Sequence, residues 1–112
     1  MDARIKLAVT AIELEPEKPQ PLKGLAGQLR LSSSRFEHLF KREFGQGFKA
    51  FRRAARLAKA KKMLLDPRLR IKEVAAAVGY KDMPDFTRDF KRRYGLPPSR
   101  SRTLLNGGGA AH

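Results

Sequence analysis

The chain carries one pattern twice. Residues 22–45 read LKGLAGQLRLSSSRFEHLFKREFG, and residues 71–95 read IKEVAAAVGYKDMPDFTRDFKRRYG. Leu25, Ala26 and Leu29 match Val74, Ala75 and Val78 at an offset of 49. Phe36, Phe40, Lys41, Arg42, Phe44 and Gly45 match Phe86, Phe90, Lys91, Arg92, Tyr94 and Gly95 at an offset of 50. The second copy therefore holds one extra residue in its middle. Apolar spacing is helical on both sides of that insertion, so each copy reads as two helices joined by a turn of variable length. Such a chain must fold as an all-α protein that builds the same unit twice.

A chain of 112 residues has room for one domain, or for two small helical lobes that share a connecting helix. Lys and Arg number 25 against 11 Asp and Glu, a formal charge of +14. A field of that sign favours a polyanion: nucleic acid first, an anionic membrane surface second, an acidic protein third. The absence of cysteine excludes disulfides, thiolate metal sites and cysteine nucleophiles. His38 and His112 lie in unrelated contexts, so no metal site and no cofactor is expected. The first segment, ARIKLAVTAIEL, is interrupted by Arg4, Lys6 and Glu13. It reads as a mature amphipathic helix, not as a signal peptide or membrane span.

Ile5, Ala8, Val9 and Ile12 recur at helical spacing and predict a first helix over residues 3–14. Pro16, Pro19 and Pro21 then make a loop, and Pro21 or Leu22 starts the next helix. In the first repeat Leu22, Leu25, Ala26 and Leu29 form an inner stripe, followed by the turn Arg30-Leu31. Either Ser32, or Ser34 paired with Glu37, caps the second helix. Its core face is Phe36, Leu39, Phe40 and Phe44, and Gly45 ends it. Residues 48–65 lack Gly and Pro and predict one helix of roughly 27 Å, closed by Asp66-Pro67. In the second repeat Val74, Ala75 and Val78 face inwards, Gly79 turns the chain, and Asp82 caps a helix with Pro84 in its first turn. Phe86, Phe90 and Tyr94 form that helix's buried stripe. Residues 96–102 wrap the end of this lobe, and NGGGAAH reads as disordered. The fold class is thus two helix-turn-helix lobes of homeodomain-like three-helix build. Residues 1–47 form the first lobe, 48–66 the connecting helix, 67–104 the second lobe and 105–112 the tail.

A helix-turn-helix braces its second helix against the major groove, which is wide enough to admit it. Outward residues near the start of that helix meet base edges, while a Lys-Arg pair near its end suits phosphates. This assigns Ser34, Arg35, Glu37 and His38 to bases in the first repeat, and Met83, Asp85, Thr87 and Arg88 in the second. Ser32, Lys41, Arg42, Lys91 and Arg92 are assigned to phosphates. Arg88 either forks onto guanine, for about 1–3 kcal/mol of discrimination, or serves a phosphate. Glu37 either accepts from a cytosine amino group or caps its helix through Ser34. Asp85 either reads a base or partners the Asp82 cap, and His38 either donates to DNA or stands in solvent. Arg30 occupies the place of Gly79, so a left-handed turn there carries strain of roughly 1 kcal/mol.

The ordered series LxxLAxxLxLSxSxFxxLFKxxFG, RLxxAxxxL at residues 56–64, and IxEVAxxVGYxDxxxFxRxFKRRYGLPP closely resembles the DNA-binding domain of the AraC family of bacterial transcription regulators. The resemblance covers residues 4–102. It implies two reading helices in successive major grooves on one face of double-stranded DNA, acting in the cytoplasm at the nucleoid, with RNA polymerase as partner and activation as outcome. Grooves on one face recur every ~34 Å, so the roughly 27 Å connecting helix predicts DNA bent towards the protein or one lobe engaging poorly. Pro84, Asp85 and Ser101 depart from the family pattern and argue for a different operator or for weaker sequence discrimination by the second lobe, while the differences between the two copies predict an asymmetric DNA site. No nucleophile, phosphate loop or paired catalytic carboxylates are present, so an enzyme is not expected. Nothing reads as a ligand-binding domain, and Met1 favours a stand-alone regulator over the end of a longer one. The competing readings are a weakly specific architectural nucleic-acid binder and a basic protein-interaction module.

Overall fold

The computed structural model of the protein describes residues 2–18 and 22–105. Pro19, Pro21 and the tail from Asn106 onwards, where a loop and disorder are expected, lie outside the described residues, as does the Leu22 side chain. Among the described residues all regular structure is helical: α1 (Ala3–Leu14), α2 (Leu22–Gln28), α3 (Ser33–Phe44), α4 (Phe48–Met63), α5 (Ile71–Ala77), α6 (Met83–Tyr94) and α7 (Pro98–Leu105). The chain divides into two compact units, one ending at Ala55 and the other starting at Arg56, so the boundary falls inside α4.

The first unit closes around Ile5, Ala8 and Ile12 of α1, Leu25 and Ala26 of α2, Phe36, Leu39 and Phe40 of α3, and Phe48 of α4. Ala26 is fully buried, and its small side chain is what lets α2 lie close to α3. The Phe40 ring sits 4.9 Å from Phe44 and 5.2 Å from Phe51, and Phe36 meets Phe48 edge-on at 5.6 Å. Such pairs contribute about 0.5–1.5 kcal/mol each beyond area burial. The aromatic cluster ties α3 to the start of α4.

The second unit repeats this plan with different parts. Leu57, Ala60 and Leu64 are buried with Val74, Ala75, Val78, Phe86 and Phe90. Their spacing along α4 is that of Ile5, Ala8 and Ile12 along α1, so the second half of α4 does for this unit what α1 does for the first. In the same way α7 begins three residues after Gly95, as α4 begins three residues after Gly45. The duplication therefore extends beyond the segments in which sequence similarity is visible. A helix stands where a wrap is expected, because Pro98 occupies the first helical position, where a missing N–H is harmless. From α7, Arg102 donates to the carbonyls of Leu64 at 3.1 Å and Asp66 at 3.3 Å. The Leu64 carbonyl lies just past the end of α4, where carbonyls lack intrahelical partners, and the Asp66 carbonyl also accepts the Leu69 N–H at 3.2 Å. That helix stops at Met63, two residues before the expected Leu65, and closes in a tighter turn with Leu65 N–H to Lys62 O at 3.1 Å.

The two turns share one geometry. Leu31 N–H donates to Ala26 O at 2.8 Å and Tyr80 N–H to Ala75 O at 2.9 Å, the long-range bond of a Schellman closure. Each needs a left-handed residue just before it: Gly79 has φ 97°, and Arg30 has φ 59°, the one non-glycine with positive φ among the described residues. With Leu31 matching Tyr80 and Ser32 matching Asp82, the extra residue of the second copy is Lys81, between turn and cap.

Candidate nucleic-acid interface

The start of α3 is fixed by Ser32, whose Oγ accepts Arg35 N–H at 3.1 Å. Ser32 is thus the cap of this helix, and its hydroxyl is engaged as it stands. Phe36, Leu39 and Phe40 bury one face, which turns Ser34, Arg35, His38, Lys41 and Arg42 outwards; all five are exposed. Ser33, Ser34, Glu37, His38 and Lys41 line one open hollow on this face. Glu37 is half-buried, and its Oε1 accepts the Phe48 N–H at 2.9 Å. It therefore caps α4 across the unit, and its partner is not Ser34. Gly47 makes room for this contact, since a Cβ there would stand 2.9 Å from the same oxygen.

In α6, Asp82 Oδ1 accepts Asp85 N–H at 2.9 Å with Pro84 in the first turn. Phe86 and Phe90 are buried, and Asp85, Arg88, Lys91 and Arg92 are exposed. Thr87 is half-buried, and Met83 is half-buried against the second core. Asp85 N–H completes the Asp82 cap, and its carboxylate holds Arg88 Nη1 at 3.1 Å. Arg88 Nε also meets Asp89 Oδ1 at 3.4 Å, and Tyr80 OH donates to Asp89 Oδ2 at 2.9 Å. Neither Asp89 nor Tyr80 is expected near the site from sequence. The available signal is Asp89 itself, a carboxylate at the place where the first copy has the core residue Leu39.

Each unit thus brings its own set of outward side chains onto one helix face. The Lys-Arg pairs close both helices, Lys41 and Arg42 on α3 and Lys91 and Arg92 on α6, where cations also complement the negative end of the helix dipole. On α3 exposed polar side chains over the first two turns are followed by cations in the last, and on α6 the exposed Asp85 and Arg88 are followed by Lys91 and Arg92, an order that suits base edges and then phosphates. The two faces differ in sign at their entry, with Arg35 in one and Asp85 in the other. Among the described residues no three His, Asp or Glu side chains gather as a metal site. No helix there is long and apolar enough to cross a membrane.

Comparison with known proteins agrees with this geometry. Residues 25–103 match the family described as a helix-turn-helix domain. The regulator AlkR of Acinetobacter baylyi is 32% identical over 102 residues, covering 91% of this chain and 33% of its own length. The arabinose operon regulatory protein of Salmonella typhimurium is 32% identical over 103 residues, covering 91% of this chain and 37% of its own. The chain thus spans about a third of the length of these curated relatives. Among solved structures, the C-terminal domain of AraT, a response regulator of Geobacillus stearothermophilus, superposes with TM-score 0.82 at 27% identity. It covers 90% of this chain and 84% of its own. An AraC-type regulator of Chromobacterium violaceum shares the fold with TM-score 0.84 at 23% identity, over 90% of each chain. These are regulators and their DNA-binding domains, not enzymes. The chain belongs to the AraC-type helix-turn-helix family of DNA-binding transcription regulators.

Proposed function

We propose that this domain recognises a specific double-stranded DNA sequence with α3 and α6 in successive major-groove segments. On this reading it activates transcription in the cytoplasm, at the nucleoid, by presenting protein surface to RNA polymerase beside its operator. The observation that carries the proposal is the common build of two separate helices: a side-chain cap, outward polar residues over two turns, and a closing Lys-Arg pair. Ser34, Arg35 and His38 read bases from α3, and Met83, Asp85, Thr87 and Arg88 do so from α6. Lys41, Arg42, Lys91 and Arg92 take phosphates with Ser32 at the α3 entry. Glu37 contributes by holding α4 to the reading helix. One similar solved protein, 27% identical, is a xylose-binding transcription activator, which supports the activating sense.

The test is selection of bound sequences from a random DNA pool, followed by protection mapping of the winner. Two protected major-groove segments with an unequal sequence pattern are expected. A pool that emerges without any preferred sequence sinks the specific reading and favours an architectural binder, and protection of one groove alone sinks docking by both helices.

A further inference from the structure

The polar cluster at the turn and reading helix of the second unit has no counterpart in the first. Arg88 occupies the place of His38, Asp85 that of Arg35, Asp89 that of Leu39, and Tyr80 that of Leu31. In the first unit Leu39 is buried in the core and Leu31 packs against it. The fold therefore closes with two leucines at these places, and an Asp with a Tyr is not a requirement of packing. A carboxylate sealed to 12% exposure is costly unless hydrogen-bonded. Here it is satisfied from two sides: Tyr80 OH donates to one oxygen and Arg88 Nε to the other.

We infer that Tyr80, Asp89 and Asp85 form a bracket that positions the Arg88 guanidinium to read one guanine, making Asp89 a positioning residue for sequence discrimination. The inference rests on the proposed reading of bases by α6. An exposed arginine in solvent samples many rotamers and suits a phosphate as well as a base. Arg88 is 57% exposed, yet Asp85 holds its Nη1 at 3.1 Å and Asp89 its Nε at 3.4 Å. The guanidinium has five N–H donors in a rigid fork. With one Nη1 hydrogen and the Nε hydrogen directed to carboxylates, the Nη1–Nη2 end remains for a bidentate acceptor pair such as guanine O6 and N7. Two carboxylates around one cation also leave the group net negative. Arg88 is thereby a poor phosphate anchor, and its value lies in geometry. The first unit has no such bracket, so the second discriminates more sharply at its arginine than the first does at His38.

The experiment uses the 112-residue chain and a random-pool selection with Arg88→Ala, Asp89→Asn and Tyr80→Phe, each also measured against random duplex DNA. Arg88→Ala identifies the base position that Arg88 reads. At that position Asp89→Asn should lower the guanine preference by about tenfold, within the range of one bidentate contact, and Tyr80→Phe by a smaller factor. Affinity of Asp89→Asn for random DNA should stay level or rise, because a negative charge has been removed. Full preference retained in Asp89→Asn overturns the inference, as does an equal loss on every sequence. If Arg88→Ala changes no base position, the reading of bases by Arg88 fails as well, which separates the two failures. Should Asp89→Asn fail to fold by circular dichroism, Asp89→Leu with Tyr80→Phe restores an apolar pair at these positions. The same loss of preference is expected of that double variant.

Discussion

The Glu37 carboxylate accepts the Phe48 N–H at 2.9 Å and so joins the middle of α3 to the first residue of α4. The first N–H groups of a helix have no intrahelical acceptor and carry the positive end of its dipole, so a carboxylate there is favourable twice over. In the second unit the matching residues are Thr87 and Pro98. Proline has no N–H to satisfy, and the acceptor has disappeared along with the donor. Glu37→Ala should therefore destabilise the protein by about 1–2 kcal/mol, the range of a lost cap or charged hydrogen bond. Urea unfolding measures this, with Thr87→Ala expected to cost less. Equal losses for the two would show that the cap is not what Glu37 contributes.

Arg30 holds a left-handed conformation at φ 59° where the second turn uses Gly79 at φ 97°. Replacing Arg30 by Gly removes a strain of roughly 1 kcal/mol but frees the unfolded chain. A net gain between about 0 and about 0.6 kcal/mol is expected. Gly79→Ala should lose stability by a similar amount. A melting temperature lowered by Arg30→Gly would contradict the strain.

Lys41 and Arg92 stand exposed in the last turns of α3 and α6. Lys41→Ala and Arg92→Ala should each weaken binding to all sequences alike and reduce the log-log salt slope by about 1. Arg35→Ala and His38→Ala should instead relax preference at individual bases. Titrations at several salt concentrations on selected and random duplexes distinguish the two patterns.

Arg102 reaches from α7 to the Leu64 and Asp66 carbonyls at the end of α4. Its removal leaves two acceptors without their charged donor, so Arg102→Ala should cost about 1.5–3 kcal/mol. Arg102→Lys should recover only part of this, because one ammonium cannot reproduce the planar fork. Denaturant midpoints of the two variants provide the check.

Asp66 has its pKa lowered from the ordinary 3.8 to about 2, first by the hydrogen bond from the Arg68 side chain and then by the Arg68 backbone N–H. A depressed carboxylate pKa means that the folded state favours the charged form. The resulting stabilisation is complete above the ordinary value and disappears as pH falls through about 2. The advantage of the natural protein over Asp66→Asn should shrink across that window in pH-dependent unfolding. A difference unchanged from pH 5 to pH 2 would count against the ion pair.

The helices that carry apolar residues at helical spacing are legible in the sequence alone. Residues 3–14 and the two copies each write their buried face into the chain, and Ser32, Asp82 and Gly45 mark helix ends by local chemistry. The start of α4 is legible for the same reason, as is the strain at Arg30, because the repeat sets a glycine opposite it. By contrast α7 has a weak apolar stripe and reads only as a wrap, and its recognition as a helix depends on equivalence with the first half of α4. That equivalence lies in spacing and position, not in residue identity.

The composition of each outward face is likewise in the sequence, since outward positions follow from the buried ones. What each side chain does there is not. Glu37 has its hydrogen-bond donor eleven residues away at Phe48, and Asp89 meets Tyr80 across the helix-turn-helix. Hydrogen bonds of this kind depend on how one helix packs against another, and no local periodicity encodes them. The sequence by itself determined that the chain is a duplicated, basic, all-helical unit with two outward polar faces. Only the tertiary structure decided that α4 supplies parts to two cores and that the two faces present their side chains under different constraints, because those properties arise from contacts between residues distant along the chain.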